Sequence, residues 1–261
     1  MDKTISRRKM VALIGGVAGA GAAGTLLAAS NQPTAPKPAS VLQQTPWPYS
    51  PLDPDAVAQR AFESYLKGHC MYGSFEAIVG SLADHLGEPY SDFPFAMFKY
   101  GAGGVNGWAT LCGALNGACA AFQLFSANPE PLIDSLMSWY QTEGLPNFYP
   151  KGAKFPEVRS VAGTPLCHES IAHWTKAAGK KSYSPERVER CGTLAASVAR
   201  KAVQLLNEQA AGKPLAGFAP SQQTQGCMSC HERGGAVENV RSKMDCGGCH
   251  TVQIKEAHGK A

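Results

Sequence analysis

The sequence predicts an all-α fold, and two observations lead to this prediction. Helix start signals and apolar residues at helical spacing recur from Asp53 to about Gln209. No segment shows the strict alternation of apolar and polar residues that a half-exposed strand requires. We therefore expect a multi-helix, cysteine-containing domain over residues 55–213, followed by a small and mostly irregular segment over residues 214–261.

The first 29 residues have the pattern of a twin-arginine export signal. Arg7 and Arg8 precede an Ala- and Gly-rich stretch over residues 11–29. This stretch has only 19 residues, so it is weak as a membrane span. We expect the protein in the periplasm, and at the membrane only if the signal stays uncleaved.

Residues 30–54 are rich in proline, which suits an extended linker better than a packed element. Residues 1–29 hold four basic residues and one acidic residue, so the rest of the chain keeps 20 Lys and Arg against 19 Asp and Glu. This near-neutral balance gives no indication of nucleic-acid binding.

The helix signals divide the domain into successive helices. Asp53 caps a helix with Pro54 at its first position, and Asn106 opens an apolar stripe that includes Trp108. The small residues of the same predicted helix, among them Gly113 and Gly117, would let a neighbouring backbone come close. The predicted helices are 53–70, 72–86, 106–122, 129–140, 165–179 and 185–209.

Five cysteines lie in the helical domain, and their spacing leaves three interpretations open. They are buried small hydrophobic residues, disulfide partners in an oxidising compartment, or, for four of them, ligands of an iron–sulfur cluster. Cys167 falls in the first turn of its helix, where the helix dipole stabilises a thiolate. The five are Cys70, Cys112, Cys119, Cys167 and Cys191.

Two C-x-x-C-H pentads near the C-terminus carry the most specific chemical signal. Each has the spacing that attaches haem c, because the two thiols add to the vinyl groups of one porphyrin and the adjacent histidine becomes an axial iron ligand. The pentads predict two covalent haems. Their residues are Cys227, Cys230 and His231, then Cys246, Cys249 and His250.

The same four cysteines also fit the spacing of a zinc site, since 15 residues separate Cys230 from Cys246. A four-thiolate zinc site has no use for either following histidine. The histidines therefore favour haem, and a zinc-binding module remains the weaker alternative.

Taken in order, the cysteines resemble a known family. Cys70, then Cys112 to Gly117 (C-G-A-L-N-G), then Cys167 and Cys191 resemble the bacterial C_GCAxxG_C_C redox family, although Leu111 stands where that pattern has glycine. With the two pentads behind them, residues 55–250 resemble the split-Soret cytochromes c.

This resemblance implies a periplasmic homodimer with two bis-histidine haems per subunit and an iron–sulfur centre, of [2Fe–2S] type, in the helical domain. Its cluster ligands would be Cys70, Cys112, Cys167 and Cys191. The short C-terminal segment cannot by itself cover both faces of two porphyrins, which independently favours a dimer.

The distal haem ligands are the least determined residues. His258 lies eight positions beyond His250 and is our first candidate. His69 and His168 adjoin candidate cluster cysteines, whereas His85 and His173 have the character of helix-surface residues. Met228 and Met244 are alternative sulfur ligands.

The cofactors indicate an electron carrier rather than an enzyme, because six-coordinate haem iron cannot bind a substrate. We find no catalytic triad or phosphate loop in the sequence. We expect electrons to pass to redox partner proteins. A small reductase with an open haem or cluster iron is the alternative from another class.

Overall fold

The computed structural model describes residues 44–250 and is mainly α-helical, which confirms the predicted fold class. Two short 3₁₀ helices cover Tyr90–Asp92 and Phe95–Gly101. The strands β1 (Gly144–Leu145) and β2 (Ser160–Val161) form a two-residue antiparallel pair. The α-helices are α1 (Pro54–Leu86), α2 (Gly113–Phe125), α3 (Glu130–Thr142), α4 (Cys167–Ala178), α5 (Pro185–Ala210), α6 (Gln222–His231) and α7 (Gly247–His250).

Helix α1 is a helical hairpin, because the chain reverses at His69. This residue has φ 65° and ψ −162°, outside the helical region. Arg60 forms ion pairs with Glu76 and Asp84, which in a straight helix would lie roughly 24 and 36 Å further along the axis. The two predicted helices therefore exist as antiparallel halves, and Cys70 opens the second half.

The core lies between α2, α5 and the two halves of α1. Ile78, Leu115, Phe122 and Val198 are completely buried there. A Cβ atom added at Gly117 would collide with the Met71 carbonyl, so α2 lies against α1 with almost no space between the backbones. The close approach predicted for the small residues of α2 is confirmed.

Helix α2 begins at Gly113, seven residues later than predicted from Asn106. Asn106 and Ala109 have positive φ values of 46° and 56°, so this stretch is a set of turns. Trp108, predicted on the core stripe, is 80% exposed. The backbone of residues 109–112 instead pairs with residues 165–168, and these hydrogen bonds replace helical ones.

The end of the Pro-rich segment is packed, which differs from the extended linker expected for residues 30–54. Trp47 is 5% exposed and makes an edge contact with Tyr90 at 5.3 Å between ring centroids. Its backbone N–H donates to the Leu124 carbonyl at 2.7 Å. The two aromatic residues of this segment outweigh its proline content, since Tyr49 also donates a hydrogen bond to Asn207.

Helices α3, α4 and α5 lie close to their predicted positions. Helix α4 ends at Gly179, which adopts the left-handed conformation of a C-cap. Ser184 caps α5 by accepting a hydrogen bond from the Arg187 N–H. Among residues 44–250, no helix is both long and apolar enough to cross a membrane.

Candidate redox centres

Three helix N-termini meet at one buried place, and each carries a cysteine. Cys70 follows the reversal in α1, Cys112 is the N-cap of α2, and Cys167 is the first residue of α4. Cys191 lies in the second turn of α5. All four are buried, and the three helix ends give the site a positive potential.

Short backbone hydrogen bonds hold Cys112 beside Cys167. The Cys112 N–H donates to the Pro165 carbonyl at 2.9 Å, and the Cys167 N–H donates to the Thr110 carbonyl at 2.7 Å. Leu111 and Leu166 form the isolated bridge between these bonds. The turns at residues 101–112 therefore position two helix starts with respect to each other.

Cys70 and Cys191 form a second pair. Their side chains are hydrogen-bonded, and the pKa of the Cys191 thiol is lowered by this bond and by the nearby Arg190 and Arg187 guanidinium groups. The pKa of Cys70 is raised, by the bond to Cys191 and by burial. The pair thus favours a thiolate at Cys191 rather than at Cys70.

A buried polar chain connects the other pair to Arg190. Tyr140 is hydrogen-bonded to Cys112 and, at 2.9 Å, to the Ser170 hydroxyl. Ser170 Oγ accepts a hydrogen bond from Arg190 Nη2 at 2.9 Å. Tyr140 is fully buried and Arg190 is 4% exposed.

The position of Cys167 at a helix start does not give its thiol a low pKa. Burial, followed by the neighbouring Cys112 and Cys191, raises the pKa of Cys167 to about 12, against the lowering effect of Arg190 and Arg187. The pKa of Cys112 is also raised by burial, although N–H groups of Ala114 and Leu115 point at its sulfur. The thiolates here need a cation as partner.

The fifth cysteine lies apart from the other four. Cys119 packs against the core on α2, and only burial raises its pKa, to about 12. All nine cysteines lie within residues 44–250 and none forms a disulfide there. In the same range, no three His, Cys, Asp or Glu side chains converge closely enough to hold one metal ion.

Both C-x-x-C-H pentads end short helices. Residues 227–231 form the last turns of α6, and the His250 N–H bonds the Cys246 carbonyl at 3.1 Å in α7. Thr224 is 1% exposed and joins the two helices, because its Oγ1 donates to Asp245 at 3.1 Å. The thiols of Cys227 and Cys246 are hydrogen-bonded.

The structure places the candidate distal ligands at separate points. His69 and His85 are exposed on α1, and His168 is exposed at the start of α4 beside Glu169. The His173 Nδ1–H donates to the Val161 carbonyl at 2.7 Å. Met228 and Met244 lie in the C-terminal segment. His258 and the export signal lie outside the described residues.

Sequence reasoning missed Arg190 and Tyr140. Both lie in predicted helices, but a charged or hydroxyl-bearing residue in a helix is usually assigned to the surface. The one available signal was that Arg190 precedes a candidate ligand, Cys191.

Comparisons with known proteins give consistent results. Residues 72–205 match the family described as "Putative redox-active protein (C_GCAxxG_C_C)", so the match begins two residues after Cys70. The chain is 35% identical over 264 residues to split-Soret cytochrome c of Desulfovibrio desulfuricans, covering 95% of each protein.

A solved structure is also similar. It is that of the split-Soret cytochrome c from Desulfovibrio desulfuricans, described as containing a novel iron centre. It aligns with a TM-score of 0.73 and 36% identity, over 78% of this chain and 90% of that one.

Proposed function

Because this chain belongs to the split-Soret cytochrome c family of haem-containing electron-transfer cytochromes, we propose that it carries two haem c groups and one iron–sulfur cluster. The haems would be held at Cys227, Cys230 and His231 and at Cys246, Cys249 and His250. A [2Fe–2S] cluster would be held by Cys70, Cys112, Cys167 and Cys191. When bound, these groups accept and release single electrons.

The C-terminal residues fit covalent haem. Helical geometry in α6 places Cys227 and Cys230, three positions apart, on one face with His231 beside them. Cys230 and Cys249 are exposed, so a porphyrin can reach their thiols. A groove of about 790 Å³ lies beside the first pentad, lined by Phe218, Met228, Asn239 and seven other residues, within the size range of small-molecule sites.

The four buried cysteines fit a two-iron cluster. Such a cluster takes two protein ligands at each iron, so it needs two pairs of thiols rather than three donors around one ion. The contacts supply the pair Cys70 and Cys191, and the adjacent pair Cys112 and Cys167. The grouping of these four cysteines, apart from Cys119, is the observation that carries the proposal.

Contacts connect the three proposed sites in the order first pentad, second pentad and cysteine site. A Cβ atom at Gly248, within the second pentad, would lie 3.5 Å from Thr164 Cγ2, three residues before Cys167. The hydrogen bond between Cys227 and Cys246 brings the two pentads together. Because electron transfer slows steeply with distance, this arrangement supports exchange between the cluster site and both haem sites.

We further propose a periplasmic homodimer. The exposed pentads leave the apolar faces of two porphyrins to be covered, and a second copy of the chain is the simplest source of cover. His258 stays our first candidate for a distal ligand. The twin-arginine pattern supports export, and redox partner proteins would supply and receive the electrons.

An absorption spectrum of the exported protein, oxidised and then reduced with dithionite, tests this function. We expect low-spin haem with a split Soret band, because stacked six-coordinate haems couple their transitions. High-spin haem that binds carbon monoxide readily would contradict the carrier function and favour a reductase. A protein without a Soret band from a haem-attaching host would contradict the haem sites themselves.

A further inference from the structure

Arg190 is a buried cation that has no carboxylate partner among residues 44–250. It is 4% exposed, and its Nε atom has no hydrogen-bond partner in the part of the chain that the structure describes. Nη2 donates to the neutral Ser170 hydroxyl at 2.9 Å. Within residues 44–250, no carboxylate lies at ion-pair distance from this guanidinium.

The surroundings of Arg190 indicate what compensates its charge. A buried, unpaired cation is strongly unfavourable unless an anion lies close to it. Arg190 acts electrostatically on Cys191, Cys167 and Tyr140, so it faces the cysteine site. Three helix N-termini add positive potential at the same place and make an uncompensated cation there still less favourable.

An iron–sulfur cluster bound by thiolates supplies the missing negative charge. Four thiolates and two sulfides outweigh the charge of two ferric ions, and reduction adds one more negative charge. A fixed cation nearby therefore stabilises the reduced cluster more than the oxidised one.

We propose that Arg190 is the buried counter-charge of the cluster, and that it raises the cluster's reduction potential while Ser170 holds its guanidinium in place. This inference rests on the proposed cluster. Ser170 lies on α4 three positions after Cys167, and Arg190 lies on α5 immediately before Cys191. Their hydrogen bond thus links two of the helices that carry ligands.

Arg187 has a different position. Its side chain is also near Cys191, but its Nε donates to the Ser182 carbonyl and it is only half-buried. Its guanidinium is also hydrogen-bonded to Cys191. Because solvent screens a half-exposed charge more strongly than a buried one, we expect Arg190 to have the larger charge effect on the cluster.

The test is an EPR-monitored redox titration of the holoprotein and its variants. In R190Q, we expect the equilibrium constant for cluster reduction to fall at least tenfold, about 59 mV for one electron. R190K keeps the charge and should shift the constant less than threefold. R200Q is the matched control, because Arg200 lies on the same helix but pairs at the surface with Asp55; its cluster should match the wild type.

Each outcome decides between the alternatives. An R190Q protein with a full cluster and wild-type potential would overturn the assignment. R190Q could instead lose the cluster. In that case, an R190K protein that keeps the cluster supports the role of charge. An R190K protein that also loses the cluster, with unchanged helicity, contradicts it. Wild-type protein without non-haem iron would overturn the proposed cluster itself, which is a separate result.

Discussion

His231 illustrates how single residues could prepare the proposed haem site. Its Nδ1–H donates to Asn239 Oδ1 at 2.8 Å, which leaves the lone pair on Nε2, the atom that would bind haem iron. The N–H groups of Asn239 and Val240 also donate to the His231 carbonyl. These bonds hold the segment at Asn239 against the end of α6. An acceptor at Nδ1 raises the basicity of an iron-bound imidazole.

Replacing Asn239 by leucine should raise the potential of one haem. Without the acceptor, the imidazole donates less charge, so ferric iron is stabilised less. We expect a two- to tenfold change in the reduction constant, up to about 59 mV, in a spectroelectrochemical titration. N128L, at an exposed surface position, is the control; equal curves for N239L and wild type would contradict this role of Asn239.

The cysteines allow a matched comparison. C191A should abolish the cluster, because it removes one thiolate from a buried pair, while both haems remain attached. C119A removes a partly buried thiol outside the group of four and should retain the cluster. Non-haem iron per haem is the measurement. Loss of iron in C119A, or its retention in C191A, would show that the ligand set is wrong.

At the scale of elements, the sequence predicted helices wherever caps and apolar stripes coincide. Asp53, Thr164 with Pro165, and Ser184 with Pro185 mark true helix starts within a few residues. The helix start predicted at Asn106 was wrong. Residues 109–112 pair instead with residues 165–168, which lie more than fifty positions further along the chain. No local pattern contains that partner.

The site residues likewise divide into those that local sequence patterns indicate and those that depend on tertiary packing. The pentads and the order of the cysteines were visible in the sequence. It was also visible that Cys119 has no counterpart in the family pattern. The reversal at His69, which turns Cys70 into a helix start, and the interior position of Arg190 depend on tertiary packing. These features make the site electropositive, and only the folded chain reveals them.

Helix packing makes a further prediction at Gly117. G117A should lower the free energy of unfolding by about 1–3 kcal/mol, because the methyl group would overlap the Met71 carbonyl, a backbone atom that cannot easily move. Thermal unfolding followed by circular dichroism should show a Tm lower by about 2–12 °C. At Gly217 no atom surrounds an added Cβ, so G217A should unfold as the wild type does; equal Tm values for the two variants would contradict the close packing.

At the scale of the whole molecule, the described chain presents the two proposed haem-attachment helices at its surface, next to a buried cysteine site. The two pentads are joined through Thr224 and Asp245, and the second pentad reaches Thr164. The helical domain thus protects the cluster site from water, while the pentads leave haem surface for a partner to cover.

If haem surface drives association, then haem attachment should control the oligomeric state. We expect the holoprotein to behave as a dimer in light scattering, and the protein made without haem attachment to behave as a monomer with unchanged helicity. A monomeric holoprotein would contradict the proposed interface, and a dimeric haem-free protein would place the interface elsewhere.

The most direct test of the whole account is the content of haem, total iron and acid-labile sulfide in one anaerobically purified sample. We predict two haems per chain, with two further irons and two sulfides. Haem without excess iron or sulfide would contradict the central claim that the buried cysteines hold a cluster beside the haems.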